Sequence, residues 1–397
     1  MQDVFLNQDY QIFIWIPLVL LTIKELKANW RQIFDNDLTV SDRNSLQKIN
    51  LFFIMPLVVL MHEIGHAIAT IWVGGEVEEL HFGIWFGYVI PSGNFTPLDS
   101  LIITLAGNVV QILIGIAFLL AALFVSSPPV VALLVYAGLY AVGGTIIIYA
   151  LMSWAGWYGD WMMIYQSPLK DLVFSIGVVH FLLASALLYL IYGAGPRLWF
   201  TGKTRPKWKK DFENARLKVK EDPSAISYLS LAWSYFFVGL YNLSFKCLKK
   251  VEELDPNLTD RFYLEGCIYR NKGKLDLAID HFERIVESQN ADSLKKGRAL
   301  MAVGHCLSDT LPPLDGSNQA VSSVGNLVET FDQASGYMPE TADPIFYKAS
   351  ILNKVGLHKE AEILLKGLDG LKWLDPSLKA GVLEELRVAR SAKKDDE

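Results

Sequence analysis

Cysteine is scarce in this chain of 397 residues: Cys247, Cys267 and Cys306 are the only three. An odd number with no C-x-x-C pair builds no disulfide framework, and fits reduced thiols in a cytosolic domain, where they read as ordinary core residues. Basic excess is missing as well. Lys and Arg number 36 against 42 Asp and Glu, and no stripe of cations interleaved with aromatics runs over a candidate face, so nucleic acid is not an expected partner. The stretch from Met1 to Tyr10 has no basic n-region, and no small-residue cleavage signal follows the next apolar run, so no removable signal peptide is expected. Finally, charge is sparse up to about Gly195 and concentrated after Arg197. The mean hydropathy of +0.27 therefore averages two halves suited to different solvents.

What fills the first half is a series of apolar runs. The first, Tyr10 to Ile23, is short against the ~20 residues that a span needs, and crosses if Val4 to Leu6 join it. The second, Asn50 to Val73, is closed by Gly74-Gly75 as a helix stop. The third, Leu98 to Val125, ends at Ser126-Ser-Pro-Pro129; the fourth runs from Val130 to about Trp154, and the last from Leu172 to Gly193. Between the second and third, Glu76 to Pro97 is rich in aromatic and β-branched residues broken by glycine, which predicts a strand pair or a membrane-dipping hairpin. The basic flanks, Lys24 to Lys48 and Arg197 to Lys210, both fall inside the cell if five crossings start from an outer N-terminus. A sixth segment built from Trp154 to Tyr165 would break that parity. The expected location is the plasma membrane, with the C-terminal half cytoplasmic.

The chemistry lies in the second run. His62-Glu63-Ile64-Gly65-His66 reads H-E-x-x-H, which stacks two imidazoles on one helix face to hold zinc and sets the glutamate beside the open position as a general base. An ionisable residue at the bilayer centre costs about 2.5 to 3.5 kcal/mol, so three within five residues mark a functional site. Two histidines leave catalytic zinc one protein ligand short. Candidates at that depth are Glu76, Glu78, Glu79, His81, Asp99, Asp160 and Asp171. Asp99 and Asp171 open predicted helices, where a carboxylate is ordinary. Asp160 lies in the apolar, glycine-broken stretch Gly156-Trp-Tyr-Gly-Asp-Trp161 and is the favoured third ligand, with His81 next. His180, alone in the last span, reads as a packed or interfacial residue, too little for a transport path.

The second half carries a repeat. Tyr235 and Tyr269, and Gly239 and Gly273, are each separated by one tetratricopeptide period of ~34 residues, and Ala349, Gly356, Ala361 and Leu365 restate the pattern. Ala291 to Glu340 reads as an expanded repeat with a loop at Leu311 to Gly316, whose Asp315-Gly316 pair is a surface turn. The expected fold class is all-α. Residues 1–200 form a multi-pass transmembrane helical bundle with a short β-hairpin, and 201–222 a basic linker. Residues 223–390 form a soluble α-solenoid of tetratricopeptide type, and 391–397 a disordered charged tail.

His62 to His66 within a span, Gly74-Gly75 after it, an aromatic hairpin and a late Gly-Asp pair together resemble the site-2 protease family of intramembrane zinc metalloproteases. The resemblance covers roughly Leu51 to Tyr165. It implies zinc (Zn2+) bound by His62, His66 and Asp160, Glu63 as the base that activates water, and a transmembrane protein as substrate within the lipid bilayer. The family's Gly-Pro-x-x-Asn element is Gly107-Asn108-Val-Val-Gln111 here, and its Asp-Gly element is replaced by Asp160-Trp161. Asn108 and Gln111, with Phe82 and Tyr88 of the hairpin, are the expected substrate contacts. The hairpin would hold an unwound substrate segment by strand addition, and the repeat domain would recruit a protein or peptide partner. The alternative is an inactive membrane scaffold that works through its repeats.

Overall fold

The computed structural model describes residues 8–35, 38–311, 318–371 and 374–395. It separates into two compact units, Met1–Asp211 and Phe212–Glu397, so the boundary falls inside the expected basic linker.

The first unit begins with α1 (Gln8–Ile33) and α2 (Val40–Ile49), the latter opened by a capping box between Thr39 and Asp42. A π-helical stretch, Asn50–Ile54, joins α2 to α3 (Met55–Trp72) without a break. Gly74, at φ 86°, then ends the helix: its N–H donates to Ile71 and that of Gly75 to Thr70, the paired bonds of a Schellman stop. Next come β1 (Glu76–Phe82) and β2 (Gly87–Ser92), an antiparallel pair with a bulge between Val77 and Glu79. Both strands pack along α3. Thr96 and Asp99 form the capping box of α4 (Pro97–Phe124), so Asp99 does the cap's work expected of it. After α5 (Pro128–Gly143) a second π-helical stretch, Gly144–Tyr149, leads through α6 (Ala150–Trp154) to the short α7 (Asp160–Gln166). It is followed by α8 (Lys170–Tyr192), α9 (Ala194–Thr204) and α10 (Pro206–Glu221).

Four helical segments are long and apolar enough to cross a membrane: Val40–Trp72, Pro97–Phe124, Pro128–Trp154 and Lys170–Tyr192. They coincide with the last four expected runs. The first run is helical but does not join them among the described residues. Its apolar part gives way to Lys24, Glu25, Lys27 and Arg31 before a full span is complete.

A π turn carries one residue more than the α-helical ladder can pair, which leaves carbonyls open. In both stretches ring N–H groups from other elements take them. Trp15 donates to Phe52 and Trp85 to Leu51 in the first, while Trp161 donates to Thr145 and His180 to Ile146 in the second. Trp85 reaches its carbonyl from the hairpin turn, where Ile84 adopts φ 67°. That is a strained value for a β-branched residue.

The second unit is a run of helix pairs: α11 (Ala225–Phe237) with α12 (Tyr241–Leu254), α13 (Asp260–Asn271) with α14 (Leu275–Glu287), α15 (Ser293–Asp309) with α16 (Asn318–Tyr337), and α17 (Asp343–Lys354) with α18 (His358–Asp369). A last helix, α19 (Pro376–Asp395), packs on that pair. Gly239, Gly273 and Gly356 all sit at positive φ between the two helices of a pair. The residues after them donate to Tyr235, Tyr269 and Leu352. The repeated tyrosines and glycines are thus the two ends of one recurring helix stop. The third pair is longer, as expected, and most of its predicted loop lies outside the described residues, with Asp315-Gly316. The tail expected to be disordered from 391 instead continues α19 to Asp395, because Ala and Lys are good helix formers and nothing there breaks the helix. Cys247 and Cys306 are buried and Cys267 half-buried, all as free thiols in core packing.

Candidate metal centre

His62 and His66 lie one turn apart on α3, and both are buried. Their Nε2 atoms face each other at 3.1 Å. Asp160, 94 residues beyond His66, enters from the start of α7 and places Oδ2 at 3.0 Å from His62 Nε2 and 3.2 Å from His66 Nε2. Among the described residues this is the group of His, Cys, Asp and Glu whose ligand atoms converge, all within 4.8 Å of one another. Tetrahedral zinc with ligands at ~2.0 to 2.1 Å would set them ~3.3 Å apart, close to the observed triangle. Two imidazole nitrogens and a carboxylate oxygen aimed at one point could hold a metal ion, and as a donor set they fit zinc. His66 Nδ1–H donates to the Ile103 carbonyl at 2.7 Å, which fixes the tautomer and presents Nε2 as a lone pair.

The approach of α4 to this triangle depends on Gly107. A Cβ there would lie 2.3 Å from His66 Nε2 and 2.7 Å from His62 Nε2, against both imidazoles. Beside it, Asn108 is fully buried. Its Nδ2 donates to Asp160 Oδ2 at 3.3 Å, and its Oδ1 accepts from the Thr145 hydroxyl at 2.6 Å. Tyr149 accepts from the Asp160 backbone N–H at 2.9 Å.

Glu63 is buried on the same helix as the histidines and meets the hairpin: a Cβ on Gly87 would stand 2.4 Å from its Cγ. The first residue of β2 therefore presses its bare backbone onto the candidate base. Phe82 and Tyr88 are exposed on the hairpin, where Tyr88 donates to Glu79 and stacks on His81. Asn108 and Gln111 lie inside the helix bundle: Gln111 donates to the Ala141 carbonyl at 3.0 Å, and Asn108 is held between Asp160 and Thr145. His81 stays on the hairpin and outside the ligand group. His180 is half-buried, stacks on Trp161 at 4.1 Å and donates to the Ile146 carbonyl.

Sequence reasoning passed over Thr145, Tyr149 and Gly87. Thr145 had a signal to offer, since it is a lone hydroxyl between Gly144 and Ile146-Ile-Ile148 in a strongly apolar run.

Residues 225–258 and 260–292 match the tetratricopeptide repeat family, which are the two helix pairs α11–α12 and α13–α14. No curated protein matches the chain. Among solved structures it is similar to the crystal structure of MamA at 14% identity, with 50% of this chain and 95% of that one covered and a TM-score of 0.29. The C-terminal unit is a helical domain containing tetratricopeptide repeats.

Proposed function

We propose that this chain is an intramembrane zinc endopeptidase of the site-2 protease type, whose repeat unit engages a protein partner. The observation that carries the reading is the convergence of His62, His66 and Asp160 ligand atoms beside a buried glutamate, with both histidines and the glutamate on a helix apolar enough to span a bilayer. The outer faces of those helices support the setting. Phe174 and Phe181 on α8 are 75% and 71% exposed, and Leu187 is the one residue of that helix buried. Lipid accepts such a surface and water does not.

Zinc, when bound, would acidify a water molecule and polarise the scissile carbonyl. Glu63 takes the proton of the attacking water and returns it to the leaving amine. Asp160 and the two histidines hold the reacting centre, and the hairpin backs Glu63. A substrate helix must unwind locally first, because its own carbonyls are already paired. The exposed hairpin residues Phe82 and Tyr88 are where the unwound segment lies. In the repeat unit, a cavity of about 400 Å³ lined by Trp233, Tyr263, Asp260, Lys295 and Arg298 offers a partner both aromatic and charged contacts. The match to tetratricopeptide repeats favours protein recruitment there, and it equally suits a membrane scaffold without turnover.

Purified wild type and Glu63→Ala, assayed for bound zinc and for cleavage of a membrane reporter with and without chelator, separate the two. The protease reading expects zinc in both and turnover in wild type alone. Equal turnover by both proteins would sink it.

A further inference from the structure

Asp160 sits in a place where a ligand should be hard to hold still. It follows Gly156, at φ 98°, and Gly159, and it begins a helix of only seven residues. Yet its Oδ2 and its backbone N–H are both tied to neighbouring elements. Its Oδ2, the oxygen that faces both histidines, also accepts from Asn108. Its N–H donates to the Tyr149 phenol. The next residue, Trp161, is buried, donates to the Thr145 carbonyl at 2.7 Å and lies on the His180 ring.

Three of these ties lead to one place, the π-helical stretch Gly144–Tyr149. The Thr145 hydroxyl determines how Asn108 is used. With Asn108 turned the other way its carbonyl oxygen would face the Asp160 carboxylate, oxygen against oxygen. The carboxylate therefore demands the amide N–H, and the Thr145 hydroxyl satisfies the oxygen left behind. Asn108 and Thr145 are 0% and 1% exposed. A buried amide or hydroxyl without a partner costs about 1 to 3 kcal/mol, so two of them amid Val, Ile and Gly call for a reason. The Asp160 carboxylate supplies it.

We infer that Thr145, Asn108 and Tyr149 are positioning residues that fix Asp160 as the third ligand, with the π-helical stretch as their common mount. This rests on the metal-site reading above and extends it to how the site is held. Thr145 acts on the carboxylate through Asn108, Tyr149 acts on the backbone of the same residue, and neither needs to touch substrate.

The test uses the full-length chain in detergent, with Zn2+ affinity measured by chelator competition and the visible absorption of the Co2+-loaded protein as a report on ligand geometry. Thr145→Val keeps the shape and removes the hydroxyl; Tyr149→Phe removes the acceptor for the Asp160 N–H. Each should weaken Zn2+ binding about 10- to 100-fold, the usual effect of losing a group behind a ligand, and should change the Co2+ spectrum. Thr145→Ser, which restores the hydroxyl, should return both readouts to wild type. Wild-type affinity and spectrum in both Thr145→Val and Tyr149→Phe overturn the inference while leaving the metal site standing. A wild-type chain that binds neither Zn2+ nor Co2+ overturns the metal site itself. Should Thr145→Val fail to fold, Tyr149→Phe decides alone, since it deletes one oxygen from a half-buried ring.

Discussion

Adding one carbon at Gly107 should disable the metal centre without touching any ligand. The new Cβ would stand 2.3 Å from His66 Nε2 and 2.7 Å from both Cδ2 and Nε2 of His62. Ordinary non-bonded contact needs ~3.5 Å, so something must yield by about 1 Å, and zinc sites tolerate only about 0.2 Å in ligand distance. The yielding part is either the imidazoles, which then leave their ligand positions, or α4, which carries Asn108 away from Asp160. Overpacking of this kind costs about 1 to 3 kcal/mol. If that falls on the metal-bound state, Gly107→Ala binds Zn2+ about 5- to 150-fold more weakly. The comparison variant is Gly143→Ala, at the end of α5, where the nearest atom to an added Cβ is Leu187 Cδ2 at an ordinary 3.5 Å. Chelator competition on the purified full-length proteins reads both affinities. Gly107→Ala binding as tightly as wild type, or Gly143→Ala losing as much, would refute the packing argument.

Gly87→Ala perturbs the base instead of the ligands. Its Cβ would meet Glu63 Cγ at 2.4 Å and Oε1 at 2.8 Å, so cleavage of a membrane reporter should fall about 100-fold, as expected for ~1 Å of misplacement, at unchanged zinc content. Unchanged turnover would show that the hairpin does not bear on Glu63. In the repeat unit, burial pushes the Cys247 and Cys267 thiols up to about 11. A raised pKa depletes the thiolate below it, so at pH 8 about 0.1% is ionised, against roughly a quarter for a free cysteine. Iodoacetamide should label them about 200-fold more slowly than in denaturant, and the protection should fade as pH rises toward 11. Rapid native labelling at pH 8 would contradict the burial described.

Much of the architecture could be read from residue spacing because it follows local rules. Gly74-Gly75 predicted a helix stop and forms one. The 34-residue recurrence of Tyr235 and Gly239 repeats a single piece of backbone hydrogen bonding, which depends on residues five apart and so survives in the sequence. His62 and His66 are one helical turn apart for the same reason. Asp160 was legible only through its surroundings, as a carboxylate out of place among aromatics and glycines. What escaped was pairing across the fold. Asn108 and Gln111 look like substrate contacts when seen on one helix, but their partners, Thr145 and the Ala141 carbonyl, are 37 and 30 residues away. A π turn has no residue signature of its own, so nothing in Gly144 to Tyr149 announced that one of its hydroxyls meets Asn108 and the other the Asp160 backbone. The tail misled for a simpler reason: charge suggested disorder where helix propensity prevailed.

The π-helical stretches also bear on how such a chain changes over generations. Each amounts to one residue inserted into an α-helix, and an α-helix advances by about 100° per residue. The wider π turn absorbs that step, so deleting a single codon between Gly144 and Tyr149 would restore regular winding and leave both flanks facing as before, while closing the turn whose carbonyls Trp161 and His180 now take. A homologue without the extra residue would align with this chain through a one-position gap. The side chains on either side of that gap would keep their neighbours, and the loss would fall on the turn itself.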